Sequence, residues 1–319
     1  MACHTGHVRI VSLLASATEI VAFLGLEDQL VGVSADSDWP ADAVRGLPVL
    51  NTVSFDPDQL TSREIDDAAS HGHQGSSLYH VDADLLRALR PDLILTQEVC
   101  EVCSVSRRDL DHAARMLGYA PNVLSLNAVN LEQVFADIEQ VSQSAGVADR
   151  AADRLGSLRE RLDLVRQRFA GAPQPRVLCM EWLDPPYCAG HWIPEMVELA
   201  GGKDELGFPA GPSREVTWRD VADYAPEVLI LMPCSLSLER VASEFDGLRG
   251  QAGWDRLPAV QARRVYVGHT DLFSRSGPRL VDGVETLVRM LHPECFEQAL
   301  PPNVALRISA DGQKLEAYR

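Results

Sequence analysis

One segment of the chain concentrates aromatic, acidic and imidazole side chains. It reads Glu181-Trp-Leu-Asp-Pro-Pro-Tyr-Cys-Ala-Gly-His-Trp-Ile-Pro-Glu195 and follows an apolar run that is typical of a buried strand. Ligands of open α/β sheets bind beyond the carboxyl ends of the strands, and aromatic rings offer them flat contact area with polar tips. We therefore predict that Glu181, Trp182, Asp184 and His191 contact a ligand. The alternative is that the two tryptophans pack the core and that Asp184 caps a turn.

A second set of residues could hold a metal ion. Cys100 and Cys103 form a single C-x-x-C pair, and a closed zinc site takes four ligands, so the pair supplies two of them. His191 is a third candidate ligand, because a neutral imidazole there could coordinate cobalt or iron, or hydrogen-bond an amide. The same pair could instead contact the ligand or have no function.

Catalytic motifs are absent from the sequence. It contains no G-x-G-x-x-G after the first strand, no P-loop and no G-x-S-x-G elbow. Glu181 and Asp184 are an acid/base candidate pair, but their spacing in the sequence does not fix their distance in space. The sequence therefore predicts a binding protein rather than an enzyme. A metal-dependent enzyme on the same fold is the alternative.

The composition limits the possible partners and location. The 319 residues carry a net charge of −17, which disfavours nucleic acid. No apolar run of about 18 residues predicts a membrane span. The first residues show no signal-peptide pattern, and the seven cysteines form no regular framework, so we expect free thiols and a cytoplasmic location.

The elements that position these residues occur twice along the chain, in the same order. Residues 90–96 (Arg-Pro-Asp-Leu-Ile-Leu-Thr) resemble residues 225–232 (Ala-Pro-Glu-Val-Leu-Ile-Leu-Met), and each run precedes a loop that bears cysteine. Strands alternating with helices indicate parallel α/β layers. We therefore predict an α/β fold with two Rossmann-like lobes, at residues 1–130 and 173–319.

A helical region at residues 131–172 separates the two predicted lobes, with a break near Gly146. Its second part carries one apolar stripe at spacings of three and four residues, formed by Leu155, Leu158, Leu162, Val165 and Phe169. The stripe predicts a helix over about residues 148–169. A helix of that length, about 34 Å, can cross both lobes as a rigid connector that allows little hinge motion.

Several short motifs, in order, resemble a known family. They include residues 31–34, 38–40, 91–94, 184–187, 200–202, 213–215 and 270–279, and together they span nearly the whole chain. The chain resembles vitamin B12-binding proteins of ABC importers, which are class III periplasmic-binding-protein-like. Its loop at residues 97–103 resembles a cytosolic cobalamin-binding branch. The resemblance implies two lobes joined by a backbone helix, with one ligand in the cleft between them.

The resemblance also assigns roles to residues of this chain. Cleft positions that would meet the ligand are Ser16, Ala17, Trp39, Pro186, Tyr187, Asp271, Phe273 and Arg275. Arg275 could instead form an exposed i, i+4 ion pair with Asp271, worth about 0.3–0.5 kcal/mol. Glu64 and Glu215 match exposed acids, one on each lobe, that would meet arginines of a permease. Their alternative role is favourable charge at helix N-termini.

The sequence therefore predicts a binding protein that holds cobalamin between two lobes. Its partner would be an ABC permease or, for an intracellular carrier, a B12-dependent enzyme. A siderophore-, haem- or metal-binding protein is the alternative within the binding class.

Overall fold

The computed structural model describes residues 7–53, 59–72, 79–98, 118–169, 171, 173–296 and 300–318. Two separate large sheets lie on either side of a helical connection, as the repeat in the sequence predicts. The predicted two-lobed α/β fold is confirmed. The exact lobe boundaries, at residues 130 and 172, stay a prediction.

Lobe one is built on a four-stranded parallel sheet in the order β2-β1-β5-β6. A small antiparallel pair, β3 with β4, lies outside this sheet. The strands of this lobe are β1 (Ile10–Ser12), β2 (Leu30–Gly32), β3 (Asn51–Val53), β4 (Tyr79–Val81), β5 (Leu93–Thr96) and β6 (Asn122–Ser125). Its helices are α1 (Ala15–Phe23), α2 (Ala41–Val44), α3 (Ser62–Gly72) and α4 (Ala83–Leu89).

The connection between the lobes consists of two helices, α5 (Leu131–Ser144) and α6 (Ala148–Phe169). Asn130 caps α5, because its side chain accepts a hydrogen bond from the backbone N–H of Gln133 at 2.9 Å. Gly146 supplies the left-handed turn between the helices, with a φ of 73°. The predicted span of the connecting helix is confirmed, and its apolar stripe packs on α5 and on helices of lobe two.

Lobe two is built on a seven-stranded sheet in the order β11-β8-β7-β12-β13-β14-β15. Its centre, β7-β12-β13, is parallel, and the outer strands are antiparallel to their neighbours. The strands of this lobe are β7 (Val177–Leu183), β8 (Pro186–Cys188), β9 (Gly190–His191), β10 (Phe208–Pro209), β11 (Arg214–Glu215), β12 (Val228–Leu231), β13 (Val265–Gly268), β14 (Ala305–Ile308) and β15 (Leu315–Ala317). Its helices are α7 (Ile193–Leu199), α8 (Trp218–Tyr224), α9 (Leu238–Ser243), α10 (Phe245–Arg249), α11 (Pro258–Gln261) and α12 (Leu280–Leu291).

The internal repeat extends to individual hydrogen bonds at the first strand of each lobe. The backbone N–H of Arg9 donates to Asp92 Oδ2 at 2.9 Å, and the Arg9 guanidinium donates to Leu89 O at 2.6 Å. In lobe two, Arg176 N–H donates to Glu227 Oε2 at 2.9 Å, and its guanidinium donates to Ala225 O at 3.1 Å. Both halves thus tie their first strand in the same way to the turn before a parallel neighbour in the sheet, β5 in lobe one and β12 in lobe two.

The buried apolar side chains around the lobe-two sheet form two clusters, one on each face of the sheet. On one face, alternate strand residues such as Val177 and Ile230 join a cluster that also holds residues of lobe one and of α6. On the other face, Leu178 and Leu229 join a second cluster. Successive side chains of a strand point to opposite faces, so the two clusters lie on opposite sides of this sheet. Among the described residues, no helix has the length and apolar character that a membrane span requires.

Candidate cleft between the lobes

The two lobes meet where loops leave the carboxyl ends of parallel strands. In lobe one, the loop at residues 33–39 follows β2, and α1 follows β1. In lobe two, the segment at residues 269–279 follows β13 and begins with a short 3₁₀ turn, Thr270–Leu272. These are the edges at which α/β sheets bind ligands. The predicted residues Ser16, Trp39, Asp271 and Arg275 come together here.

Five charged side chains form a cluster across this junction, which we call the interlobe ion cluster. It consists of Glu19 and Asp38 from lobe one, and Asp271, Arg275 and Arg279 from lobe two. Arg275 Nη1 donates to Glu19 Oε1 at 2.9 Å and to Asp38 Oδ1 at 2.6 Å, and its Nη2 lies 3.0 Å from Asp271 Oδ1. Arg279 Nη1 lies 3.1 Å from Glu19 Oε1 and 3.4 Å from Asp271 Oδ2. Two cations are therefore shared among three carboxylates.

The cluster corrects the idea of an exposed Arg275–Asp271 pair. The pair forms, but its side chains are only 15% and 10% exposed, and the Glu19 side chain is 0% exposed. Burial raises the pKa of Glu19 above its ordinary value, although both arginines act to lower it. Burial also opposes ionisation of Asp38, but the hydrogen bond and charge of Arg275 hold the pKa of that carboxyl below its usual range. Arg275 is thus a structural link between the lobes as well as a candidate ligand residue.

An aromatic surface lies beside the cluster. Trp39 is 39% exposed, and the Arg279 guanidinium lies over its ring at 5.2 Å. Ser16 and Ser276 approach across the junction, with 3.4 Å between their hydroxyl oxygens. Trp39 therefore offers an accessible flat face next to charged groups.

Two predicted ligand residues lie beneath this surface rather than on it. Ala17 is 0% exposed and Phe273 is 1% exposed. The carbonyl of Phe273 accepts a hydrogen bond from Trp192 Nε1 at 2.7 Å. In this structure both residues support the loops, and their contact with a ligand stays a prediction.

The aromatic segment of lobe two forms the hairpin of β7 and β8, and its tip touches lobe one. Trp182 Nε1 donates to Ser62 O at 3.1 Å, and Asp184 Oδ2 accepts from Arg63 Nε at 3.2 Å. Burial and the charge of Asp66 raise the pKa of the Tyr187 hydroxyl, which places that carboxylate close to Tyr187, and Pro186 is buried. Three predicted ligand residues are thus already in contact with α3.

Two half-buried carboxyl groups, Glu181 and Asp204, lie behind the hairpin. Glu181 accepts from the Ser213 hydroxyl and from the backbone N–H of Gly190 at 3.4 Å. Asp204 accepts from the backbone N–H groups of Cys179 at 3.2 Å and Gly207 at 2.9 Å. Burial raises the pKa of each carboxyl group to about 7, and the charge of Asp204 adds to the rise at Glu181.

This shift predicts a pH dependence of stability. The folded state favours protonated Glu181, so its stabilising contribution is complete below the ordinary pKa of 4.5 and is lost as the pH rises through about 7. We expect the melting temperature to fall between about pH 5 and about pH 8, and to fall less in Glu181→Gln. The measurement is thermal unfolding across this range, with Glu160→Gln, an exposed acid on α6, as the control. If the melting temperature fell with pH equally in Glu181→Gln, Glu160→Gln and the wild type, the pH dependence could not be assigned to Glu181.

A cavity of about 620 Å³ adjoins the start of α5 and lies within the range of small-molecule sites, about 300–1,000 Å³. His191 lines it with a backbone φ of 50°, and burial lowers the pKa of this imidazole, which favours the neutral form. Glu195 also lines it and accepts from the backbone N–H of Leu131 at 2.9 Å. His191 is the one predicted ligand residue among those that line this described cavity.

The predicted metal and partner residues have different outcomes. Cys100 and Cys103 lie outside the described residues. Within the described part of the chain, no three His, Cys, Asp or Glu side chains are grouped so as to hold a metal ion. Glu64 and Glu215 are both exposed, but Glu64 accepts from Thr61 N–H at 2.8 Å, at the start of a helix that packs on lobe two. The two acids thus belong to different lobes, as the resemblance implies, and their contact with a permease stays a prediction.

Two α/β lobes, a connecting helix and a junction formed by strand-end loops define a bilobed binding protein. The chain belongs to the periplasmic binding protein family, whose model matches residues 10–272. Members of this family are binding proteins rather than enzymes.

Named relatives cover most of the chain. A substrate-binding lipoprotein of an ABC transporter from Bacillus subtilis is 25% identical over 302 residues, which are 91% of this chain and 82% of the relative. A vitamin B12-binding protein from Yersinia pestis is 24% identical over 285 residues, 89% of this chain and 86% of the relative.

Solved structures share the fold with different ligands. The periplasmic vitamin B12-binding protein of Vibrio cholerae superposes with a TM-score of 0.65 at 24% identity, over 91% of this chain and 98% of that one. A periplasmic haem-binding protein from Roseiflexus superposes with a TM-score of 0.69 at 21% identity, over 91% and 100%. The fold is therefore common to corrinoid and haem binders.

The predicted cytoplasmic location is wrong. The family is that of periplasmic binding proteins, and the Bacillus relative is a lipoprotein, which together point to a location outside the cytoplasm. The resemblance of residues 97–103 to a cytosolic branch gains no support from these relatives. A reducing compartment was expected together with the cytoplasmic location, and that expectation is therefore not supported either.

Proposed function

We propose that this protein binds a corrinoid in the cleft between its lobes and presents it to an ABC permease outside the cytoplasm. The observation that carries the proposal is the exposed face of Trp39 beside the interlobe ion cluster. A corrin is a broad, largely apolar disc with amide groups at its rim. An aromatic face suits the disc, and carboxylate and guanidinium groups suit the amide rim.

The relatives support the ligand class and the partner. The Yersinia relative is named as a vitamin B12-binding protein, and the Bacillus relative as part of an ABC transporter. In this proposal Trp39, Asp271 and Arg275 meet the ligand. Glu215, exposed on lobe two, is a candidate contact for arginines of the permease.

Haem is the second candidate ligand, and His191 is the observation that favours it. Burial lowers the pKa of its imidazole, which favours the neutral form, and the residue lines the cavity at the start of α5. A neutral imidazole nitrogen is an iron ligand. If haem is the ligand, hemin addition gives a Soret shift that His191→Ala abolishes, while cyanocobalamin gives no heat of binding.

Corrinoid binding is tested by calorimetry with cyano-, hydroxo- and adenosylcobalamin. We expect at least one form to bind, and Trp39→Ala to weaken its binding about 30-fold, the scale of losing a buried aromatic anchor. Val49→Ala is the matched control, because Val49 is another exposed apolar residue of lobe one at 46% exposure, and its affinity should be unchanged. If no corrinoid binds at tens of micromolar, the corrinoid proposal is wrong.

A further inference from the structure

A segment of lobe one docks on lobe two, away from the connecting helices. The segment comprises residues 59–68, which are the first turns of α3 and the three residues that precede it, and we call it the cover segment. Ile65 is only 7% exposed and belongs to the core cluster of lobe two, together with Leu178 and Leu229. An isoleucine carried by one lobe is therefore buried in the other.

Polar contacts fix the same segment in place. Ser62 N–H donates to Glu244 Oε1 at 2.8 Å, and Glu244 is held in turn by Arg240 at 2.6 Å. The side chains of Arg240 and Glu244 are 12% and 18% exposed, so solvent screens this anchor weakly. Arg240 also donates to Leu60 O. The cover segment is thus bound by its backbone as well as by its side chains.

The cover segment and α6 hold the lobes together from opposite sides. The stripe of α6 belongs to the cluster on one face of the lobe-two sheet, and Ile65 belongs to the cluster on the other face. Besides the interlobe ion cluster, the lobes therefore have two links, one on each face of this sheet. Since α6 is a single long helix with a well-packed stripe, the short cover segment is the link that can release.

We propose that the cover segment is an autoinhibitory cover, which occupies the ligand-facing residues Trp182 and Tyr187 and must leave before a ligand enters. The inference rests on the proposed function together with the sequence-based prediction that Trp182 and Tyr187 contact the ligand. Trp182 donates to Ser62 O, Asp184 pairs with Arg63, and Tyr187 lies close to the Asp66 carboxylate. A ligand and the cover segment cannot both hold these groups, so they compete.

Competition makes a specific kinetic prediction. When the competent state is a fraction of the population, the apparent dissociation constant rises by the inverse of that fraction. Releasing the cover segment with Arg63→Ala plus Ile65→Ala should speed association of cyanocobalamin about tenfold and leave its dissociation rate within about twofold of wild type. Stopped-flow mixing measures both rates. Amide hydrogen exchange at Ser62, whose N–H is bonded to Glu244, should become faster in the same variant.

Two further variants separate release from damage to the fold. Arg63→Glu leaves Ile65 in place and opposes Asp184 with a like charge, so it should act in the same direction with a smaller effect. Arg87→Ala removes an exposed ion pair with Asp84 on α4 of the same lobe and should change neither the rates nor the exchange.

The possible outcomes distinguish an autoinhibitory cover from other roles of the same segment. Unchanged exchange at Ser62 in the release variant overturns the proposal. Dissociation that speeds up together with association also overturns it, because the segment would then be a wall of the bound site. If neither cyanocobalamin nor hemin binds any variant, the proposed function fails. Docking of the cover segment is then judged by exchange alone, and faster exchange supports it.

Discussion

Replacing Arg275 with alanine is expected to destabilise the protein by about 3 kcal/mol, the lower end of the cost of breaking a buried ion pair. The change leaves Glu19, whose side chain is 0% exposed, and Asp271 with one cation between them. Arg279 still contacts both carboxylates, and Glu19 can take up a proton because burial already raises its pKa. Because of these two responses, we expect the loss in free energy of unfolding to stay near the lower end of that range. Urea unfolding at neutral pH is the measurement.

The matched variants test whether the loss comes from charge. Arg275→Lys keeps the positive charge but lacks the forked guanidinium donors. It should therefore lose less stability than Arg275→Ala. Adding Glu19→Gln to Arg275→Ala should recover part of the loss, because the second change removes a buried carboxylate that has lost one of its two arginine partners. A loss below about 0.5 kcal/mol for Arg275→Ala would place the residue among ordinary exposed pairs and contradict the interlobe ion cluster.

Shortening Leu155 on the connecting helix is expected to cost about 2–5 kcal/mol, the range for Leu→Ala at buried sites. Leu155 is 0% exposed and lies in the cluster that spans both lobes. Leu164 on the same helix is 60% exposed, so Leu164→Ala should stay within about 0.5 kcal/mol of wild type. Equal losses for the two variants would show that packing between the lobes does not set the effect, since alanine is the better helix former at both positions.

Local patterns predicted the frame of the molecule well. The spacing of Leu155, Leu158 and Leu162 fixed the face of α6, because helix periodicity alone decides which residues share a side. The repeat of Pro91-Asp92 in Pro226-Glu227 predicted equivalent turns, which the structure shows in both lobes. Both features depend on residues that are close together in the sequence, and the sequence therefore predicts them.

Contacts between distant segments could not be predicted in the same way. The four-residue spacing of Asp271 and Arg275 indicated a pair, but Glu19 and Asp38 reach Arg275 across the lobe junction from more than 200 residues away. One signal was available, since Glu19 is the single acid in the otherwise apolar and small-residue run of α1. No comparable signal showed that the helix bearing Glu64 would pack on lobe two.

The core cluster that runs from Ile10 through Leu158 to Leu287 has a consequence for cooperativity. A two-domain chain with separate cores unfolds in separate steps, whereas elements that share one core lose their packing together. Each lobe here completes its interior with side chains from the other lobe and from α6. We therefore expect global unfolding to be a single transition that takes both lobes together, whereas opening of the cover segment is a separate local event of lower free energy.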